Sequence, residues 1–414
     1  MSAFDKVIGY ETVKEELKQV CDRLCNANVY DELGAKMPKG LLLYGNPGVG
    51  KSLMANCLIE ECGRKSYIIR RNKPDGDFVN DIKKVFEEAA KNAPSVILLE
   101  DMDKFAAEAN SREEYVAIQA CIDEVHSLDV YIIATVNELR DLPRSLSRAG
   151  RFDRKIEVFP PKGEDAVKIV HHYMDSKSFI DNINIEDISK MLSGQSCAEL
   201  ETVLNEAALS AGYRREKYIS MEDVINAVLK NVYGVGESND KLNGAEIAQM
   251  ALHEAGHAVV LEALMPGSVG LVSIRTKERG SDVNGFVVSC KDCNQFDDLI
   301  PVRLAGKAAV ELEYGIAGRG VSDDLSKAVY EINEYITEEG RCGMGAIDLD
   351  KYSRNPVILR TAQDAIGHAE LERYMIKTKG ILFQNWGFVK AVAKALIEKE
   401  TLLSSDVCLL KKGL

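Results

Sequence analysis

No stretch of this 414-residue chain approaches the roughly 20 consecutive apolar residues that a helix needs to span a bilayer, so insertion of this chain into a membrane is not expected. An excess of positive charge is missing too. Lys and Arg number 52 against 65 Asp and Glu, a net charge of −13, which excludes a general nucleic-acid or anionic-membrane binder. The N-terminal MSAFDKVIGYETVKEEL has no basic flank followed by an apolar core, hence no signal peptide. The ten cysteines are scattered through a chain too long to need a disulfide framework. Cys290-Lys291-Asp292-Cys293 has no second pair at zinc-finger spacing and reads as a turn with free thiols. Cys21 and Cys25, four apart on an expected helix, read as packing residues, and the sole tryptophan, Trp386, reads as core. The expectation is a cytoplasmic protein of two or three domains.

What is present begins at KGLLLYGNPGVGKSLMANCLIEEC. An apolar strand, Leu41 to Tyr44, runs into Gly45-Asn46-Pro47-Gly48-Val49-Gly50-Lys51-Ser52, and a helix follows. GxxxxGKS between strand and helix is the pattern of a phosphate-binding loop. Its glycines let backbone N–H groups approach phosphates, Lys51 meets the β/γ oxygens, and Ser52 meets Mg²⁺. A second buried strand, Ser95 to Leu99, ends in Glu100-Asp101, carboxylates placed to serve Mg²⁺ and an attacking water. A third, Val130 to Ala134, leads to Thr135-Val136-Asn137.

The second signal is ALHEAGHAVV. His253 and His257, four apart on a helix, face the same way and can share a metal ion. Glu254 is then within reach of a metal-bound water as general base, the arrangement of a zinc peptidase. The bare string also fits a chance occurrence on an amphipathic helix. The glycine-rich, polar stretch Tyr233 to Asp240 marks a domain boundary between the two signals.

Over almost the whole length the sequence resembles the FtsH-type AAA metalloproteases. FDKVIGYETVKEEL, MPKGLLLYGNPGVGKS and SRAGRFDR carry the first half of that resemblance, and HEAGH with VSDDL the second. It implies an α/β AAA ATPase module over residues 1–160, a parallel sheet flanked by helices, with a helical lid over 161–235. A mainly α-helical zincin-like peptidase domain would fill 236–414. The implied cofactors are ATP, Mg²⁺ and Zn²⁺, and the implied activity is ATP-dependent cleavage of polypeptide substrates in a homohexamer. By the match, Asn137 positions the attacking water, and Arg148 and Arg151 reach the nucleotide of a neighbouring subunit. His171 and the segment Gly194 to Leu200 contact the nucleoside, with Cys197 where the family has glycine. For the third zinc ligand, spacing alone admits Asp323 or Asp324, or a helix cap at one of them; the match favours Asp324. Glu311 and Glu313 represent the alternative design with a glutamate ligand, though surface or salt-bridged roles suit them better. The strand-like Asn284 to Val288 suits an ordinary core strand or an edge that holds a peptide.

Three features depart from the resemblance. The family's Asp-Glu is Glu100-Asp101 here, which moves both carboxylates by a methylene and predicts ATP binding with slow turnover. The family's pore-loop aromatic falls on Pro74-Asp75-Gly76, with Phe78 nearby reading as core-facing rather than as a shifted grip. The family's membrane helices have no counterpart ahead of the ATPase segment. A ring free in the cytosol follows if Met1 is the native start, and membrane anchoring if it marks a truncation. Two further readings therefore stand beside the main one: a zinc peptidase whose nucleotide module mainly assembles or gates the ring, and a non-proteolytic remodelling protein.

Overall fold

The computed structural model describes residues 2–35, 38–71, 77–105, 113–148, 150–235, 243–276, 285–291, 296–316, 322–337 and 356–413. The chain forms two compact units, residues 1–176 with 194–202, and residues 177–193 with 203–414.

The first unit opens with α1 (Glu11–Cys25) and α2 (Ala27–Glu32) and then alternates strand and helix. Its further elements are β1 (Gly40–Tyr44), α3 (Lys51–Cys62), β2 (Lys65–Ile69), α4 (Phe78–Lys91), β3 (Ser95–Leu99), α5 (Glu113–Glu124), β4 (Val130–Val136), β5 (Arg154–Glu157) and α6 (Glu164–Met174). The five strands form a parallel sheet in the order β2-β3-β4-β1-β5. Central strands of such a sheet are covered on both faces and need continuous apolar runs. GLLL, SVILL and VYIIATV supply them, and every residue of β3 and β4 is buried. Leu42, Ile97 and Ile132 on the strands pack with Ile82 and Phe86 of α4 and Ile118 and Ile122 of α5. This is the expected α/β module.

The register Leu43↔Thr135 and Leu99↔Ala134 brings the C-terminal ends of β1, β3 and β4 to one edge of the sheet. The glycine loop, Glu100-Asp101 and Asn137 all follow those ends, where open parallel sheets bind ligands.

The second unit is mainly helical, as expected. It contains α7 (Ile185–Met191), most of α8 (Cys197–Tyr213), α9 (Met221–Asn231), α10 (Gly244–Leu264), α11 (Phe296–Tyr314), α12 (Ser322–Thr337), α13 (Pro356–Gln384), α14 (Trp386–Lys399) and α15 (Ser404–Lys412). A small antiparallel sheet, β7-β6-β8, accompanies them, built from β6 (Val269–Ser273), β7 (Phe286–Ser289) and β8 (Thr401–Leu403). The C-terminal helical run read from the sequence is therefore interrupted. Glu400 takes a left-handed conformation that ends α14, and Thr401 to Leu403 pair with β6. Of the other expected strand, Asn284 to Val288, residues 286–288 fall in β7, an edge of this sheet, and Asn284 lies outside the described residues.

Helix α10 is the axis of this unit, buried on nearly every side. A helix apolar all round belongs in a core, and α10 packs with residues of α11, α14 and β6. Its start is fixed by a capping box: the Asn243 side chain accepts from Ala245 N and Glu246 N, and Glu246 returns a bond to Asn243 N. Replacing Asn243 by Ala removes two of these bonds. The expected result is a loss of about 1 kcal/mol, read as a lowered urea midpoint with an unchanged far-ultraviolet circular dichroism spectrum.

Among the described residues, no helix is long and apolar enough to cross a membrane. Cys21 is buried on α1, Cys25 is exposed, and Cys290 is half-buried with its thiol donating to Gly267 O at 3.4 Å. Trp386 packs at the margin of the core, and Cys293 lies outside the described residues.

Candidate metal centre and nucleotide loop

One turn apart on α10, His253 and His257 bring their Nε2 atoms to 3.0 Å. Asp324 arrives from the first turn of α12, where a helix N-terminus favours a carboxylate. Its Oδ2 lies 3.1 Å from His253 Nε2 and 3.2 Å from His257 Nε2. These three are the one group of metal-ligating side chains that converges among the described residues, with ligand atoms within 4.8 Å of one another. Asp323, by contrast, is exposed and pairs with Lys327 at 2.6 Å. Glu311 sits between Lys307 and Lys379, and Glu313 pairs with Lys390.

A carbonyl fixes the second imidazole. His257 Nδ1–H donates to Val302 O of α11 at 2.6 Å, which leaves the Nε2 lone pair facing the other ligands. The charges agree with a cation-binding centre. Burial opposes ionisation of Asp324, but the adjoining His253 and His257 imidazoles outweigh it and hold its carboxyl below the usual range. Burial also works against a charged His257, yet the neighbouring Asp324 raises it on balance. Two imidazoles and a carboxylate, mutually within ligand reach, fit the donor set of a zinc site with open positions. Glu254, only 3% exposed, lies against this group, and its burial raises its carboxyl above the ordinary value.

The sequence reading missed what makes room for the centre. A Cβ on Gly306 of α11 would lie 2.4 Å from both His253 Cε1 and Nε2, and 2.5 Å from His257 Nε2. One helix turn away on α10, a Cβ on Gly256 would meet Ala305 O at 2.6 Å and Ala309 Cβ at 2.8 Å. The two helices therefore cross on a seam of small residues. RLAGKAA carried the signal, visible only once α11 is known to lie on the imidazole face. Pro301 lies inside α11. Proline has no N–H for Asp297 O, and Lys377 Nζ donates to that oxygen at 2.7 Å instead.

A cleft of about 520 Å³ opens over the centre. His253, Glu254, His257 and Asp324 form its polar floor, Leu261, Leu299 and Val302 an apolar wall, and Phe286, Val287 and Ser289 of β7 another side. Because β7 pairs with β6 alone among the described strands, its other edge keeps peptide groups available.

In the first unit, the glycine loop turns from β1 into α3 through left-handed residues, Gly48 at φ +78° and Gly50 at +97°. Side chains resist that conformation. Lys51 is buried, and its Nζ donates to Gly45 O at 2.6 Å, Asn46 O at 2.9 Å and Asn137 Oδ1 at 3.1 Å. Burial lowers its pKa, against the attraction of Asp101 and Asp103. Ser52 follows in the first turn of α3. Ala198 N donates to Gly48 O at 3.1 Å, so the segment with Cys197 does lie against the loop. A lysine tip, glycine-shaped backbone and carboxylates at one sheet edge fit a nucleotide with Mg²⁺.

Other predicted residues have different surroundings. Glu100 lies 3.7 Å from Arg70, and Asp101 bonds Lys104 at 2.8 Å. Arg151 is buried, forking onto Asp123 at 3.1 and 2.7 Å and onto Ser145 O at 2.7 Å, whereas Arg148 is exposed. His171 is exposed on α6 and meets Asp175 at 3.1 Å. Phe78 packs edge-on against Phe105, ring centres 5.1 Å apart, in agreement with its core-facing reading. Pro74-Asp75-Gly76 lie outside the described residues.

Comparison with known proteins matches both halves. Residues 41–160 match the family model "ATPase family associated with various cellular activities (AAA)", and residues 241–410 match "Peptidase family M41". The ATP-dependent zinc metalloprotease FtsH of Acaryochloris marina is 30% identical, over 98% of this chain and 67% of its own length. The protein of that name from Leptotrichia buccalis is also 30% identical, over 98% of this chain and 56% of its own. The one from Streptobacillus moniliformis is 29% identical over 99% and 64%. The chain thus spans between half and two-thirds of the length of these relatives.

Proposed function

Because the chain belongs to the FtsH family of ATP-dependent zinc metalloproteases, we propose that it cleaves polypeptides at the His253-His257-Asp324 centre. The work would be coupled to ATP in a cytosolic homohexamer. The observation that carries this reading is the convergence of those three side chains on one point beside buried Glu254.

His253, His257 and Asp324 would hold Zn²⁺, which supplies a Lewis acid for water and for the scissile carbonyl. The edge of β7 aligns an extended peptide by backbone hydrogen bonds, and the apolar wall of the cleft receives a side chain. Glu254 takes a proton on its carboxylate as water attacks and returns it to the leaving amine. Burial strengthens the Glu254 carboxylate as a base, which suits the first transfer. The Val302 carbonyl keeps His257 in one tautomer throughout.

In the nucleotide module, Lys51, Ser52 and the loop N–H groups bind ATP with Mg²⁺, and Glu100, Asp101 and Asn137 serve the metal and the water. Exposed Arg148 is the arginine suited to a neighbour's phosphate; Arg151, held by Asp123, supports the segment that carries it. A residue acting in trans supports a ring. Exposed His171 is left as a nucleoside contact made once nucleotide is bound.

A second reading, a nucleotide module that mainly assembles and gates the ring, is favoured by one observation: Glu100 and Asp101 face Arg70 and Lys104. Degradation of an unfolded protein, assayed with ATP, with a non-hydrolysable analogue and without nucleotide, separates the two. Cleavage only with ATP supports coupling, cleavage with the analogue supports gating, and absence of zinc-dependent cleavage defeats both. The double change Glu100→Asp with Asp101→Glu is expected to raise ATP turnover, by up to about 100-fold if the carboxylates now sit ~1 Å from their best positions. Unchanged turnover would show that the exchange is harmless.

A further inference from the structure

Asp103 has no role so far. It lies in the short 3-10 turn Met102–Lys104 after β3. Its Oδ2 accepts from Asn137 Nδ2 at 2.8 Å, while its Oδ1 is buried with no hydrogen-bond partner among the described residues. On its other side, Asn137 Oδ1 accepts from Lys51 Nζ at 3.1 Å. The Asn137 amide is thus held between a group that only accepts and a group that only donates, and this permits one orientation.

The turn itself is pinned. Tyr115 Oη donates to Met102 O at 3.1 Å and Asp103 O at 3.3 Å, and Asp101 N donates to Thr135 Oγ1 at 2.9 Å. Glu100 and Asp101, the preceding carboxylates, face Arg70 and Lys104. A buried carboxylate oxygen without a donor is costly, and such groups call for an explanation.

We propose that Asp103 is a positioning residue for ATP hydrolysis. It locks the Asn137 amide with Oδ1 towards the phosphate loop, so that an acceptor, not a donor, is presented to the attacking water. Once Lys51 turns from Asn137 Oδ1 to a phosphate, Asp103 alone holds the amide, and without it the amide is free to flip and offer Nδ2, a group of the wrong polarity. The inference rests on the ATPase reading above and deepens it.

The test uses the full chain with Asp103→Ala, Asp103→Asn, Asn137→Ala and the Asp103→Ala/Asn137→Ala double variant. Asp103→Ala is expected to lower kcat for ATP by about 10- to 100-fold with KM and the affinity for a fluorescent ATP analogue unchanged. Asp103→Asn keeps an acceptor oxygen and is expected to recover most of the loss. In the Asn137→Ala background the Asp103 change is expected to cost nothing more. In nucleotide-free protein, the Asn137 side-chain amide resonances should shift in Asp103→Ala, with the backbone spectrum otherwise retained. Additive losses, a loss confined to KM and affinity, or an unmoved Asn137 signal would overturn the proposal. A wild type that binds the analogue but hydrolyses no ATP would sink the ATPase reading instead; the Asn137 resonances then decide the role of Asp103 alone.

Discussion

Glu254→Gln is expected to lower peptide hydrolysis by about 10²- to 10⁴-fold, the usual worth of a positioned general base. Zinc content should stay at one per chain. Glutamine preserves the volume and one oxygen of the side chain but cannot take up the proton. Glu254 is not among the converging ligand atoms, so binding of the metal and loss of turnover should separate. The check is kcat/KM on a fluorescently labelled unfolded protein, beside metal analysis of the same preparation. Equal activity in the two proteins would remove Glu254 from the reaction, and a parallel loss of zinc would recast it as a residue that maintains the centre.

Gly306→Ala should be as damaging without touching a ligand. The added methyl would lie 2.4 Å from His253 ring atoms and 2.5 Å from His257 Nε2, inside any permitted contact. Either the rings tilt off their shared point or α11 retreats from α10. Retreat forfeits the close packing of Gly256 against Ala305 and Ala309. Changes around ligands commonly cost 10- to 100-fold in metal affinity, and a direct collision with two ligands should reach at least about that. The expected result is protein that binds the ATP analogue normally but loses zinc to a weak chelator that leaves the wild type loaded. Retention of zinc and activity would mean that the two helices part more readily than their small-residue seam implies.

Much of this was legible in the sequence because it depends on short-range spacing. The phosphate loop is eight consecutive residues, and HEAGH places two imidazoles on one helix face by periodicity alone. The strands β1, β3 and β4 are continuous apolar runs, and those runs are what double-sided burial in a parallel sheet demands. Asp324 stands 71 positions beyond His253; spacing left it level with Asp323, and the resemblance chose between them. Gly306, the Val302 carbonyl and Asp103 were not legible, since each acts through a neighbour supplied by another element. A glycine signals nothing until the ring it admits is known, and a backbone carbonyl has no sequence signature. The interruption at β8 was hidden for a similar reason. Thr401 to Leu403 are too few to declare a strand, and their pairing with β6 makes them one. Arg151 shows the converse: its motif suggested an outward reach, while the fold supplies Asp123 as a partner within the same unit.

Lys51 carries a consequence for how the module would fill and empty. An ammonium has three donors, and Gly45 O, Asn46 O and Asn137 Oδ1 match them one for one. Nucleotide would therefore enter by exchange, each new phosphate bond replacing one already made within the protein. Observed affinity is then a difference between two satisfied states, smaller than the tally of phosphate contacts suggests. The same contacts leave the Lys51 ammonium with an acceptor for each of its three donors.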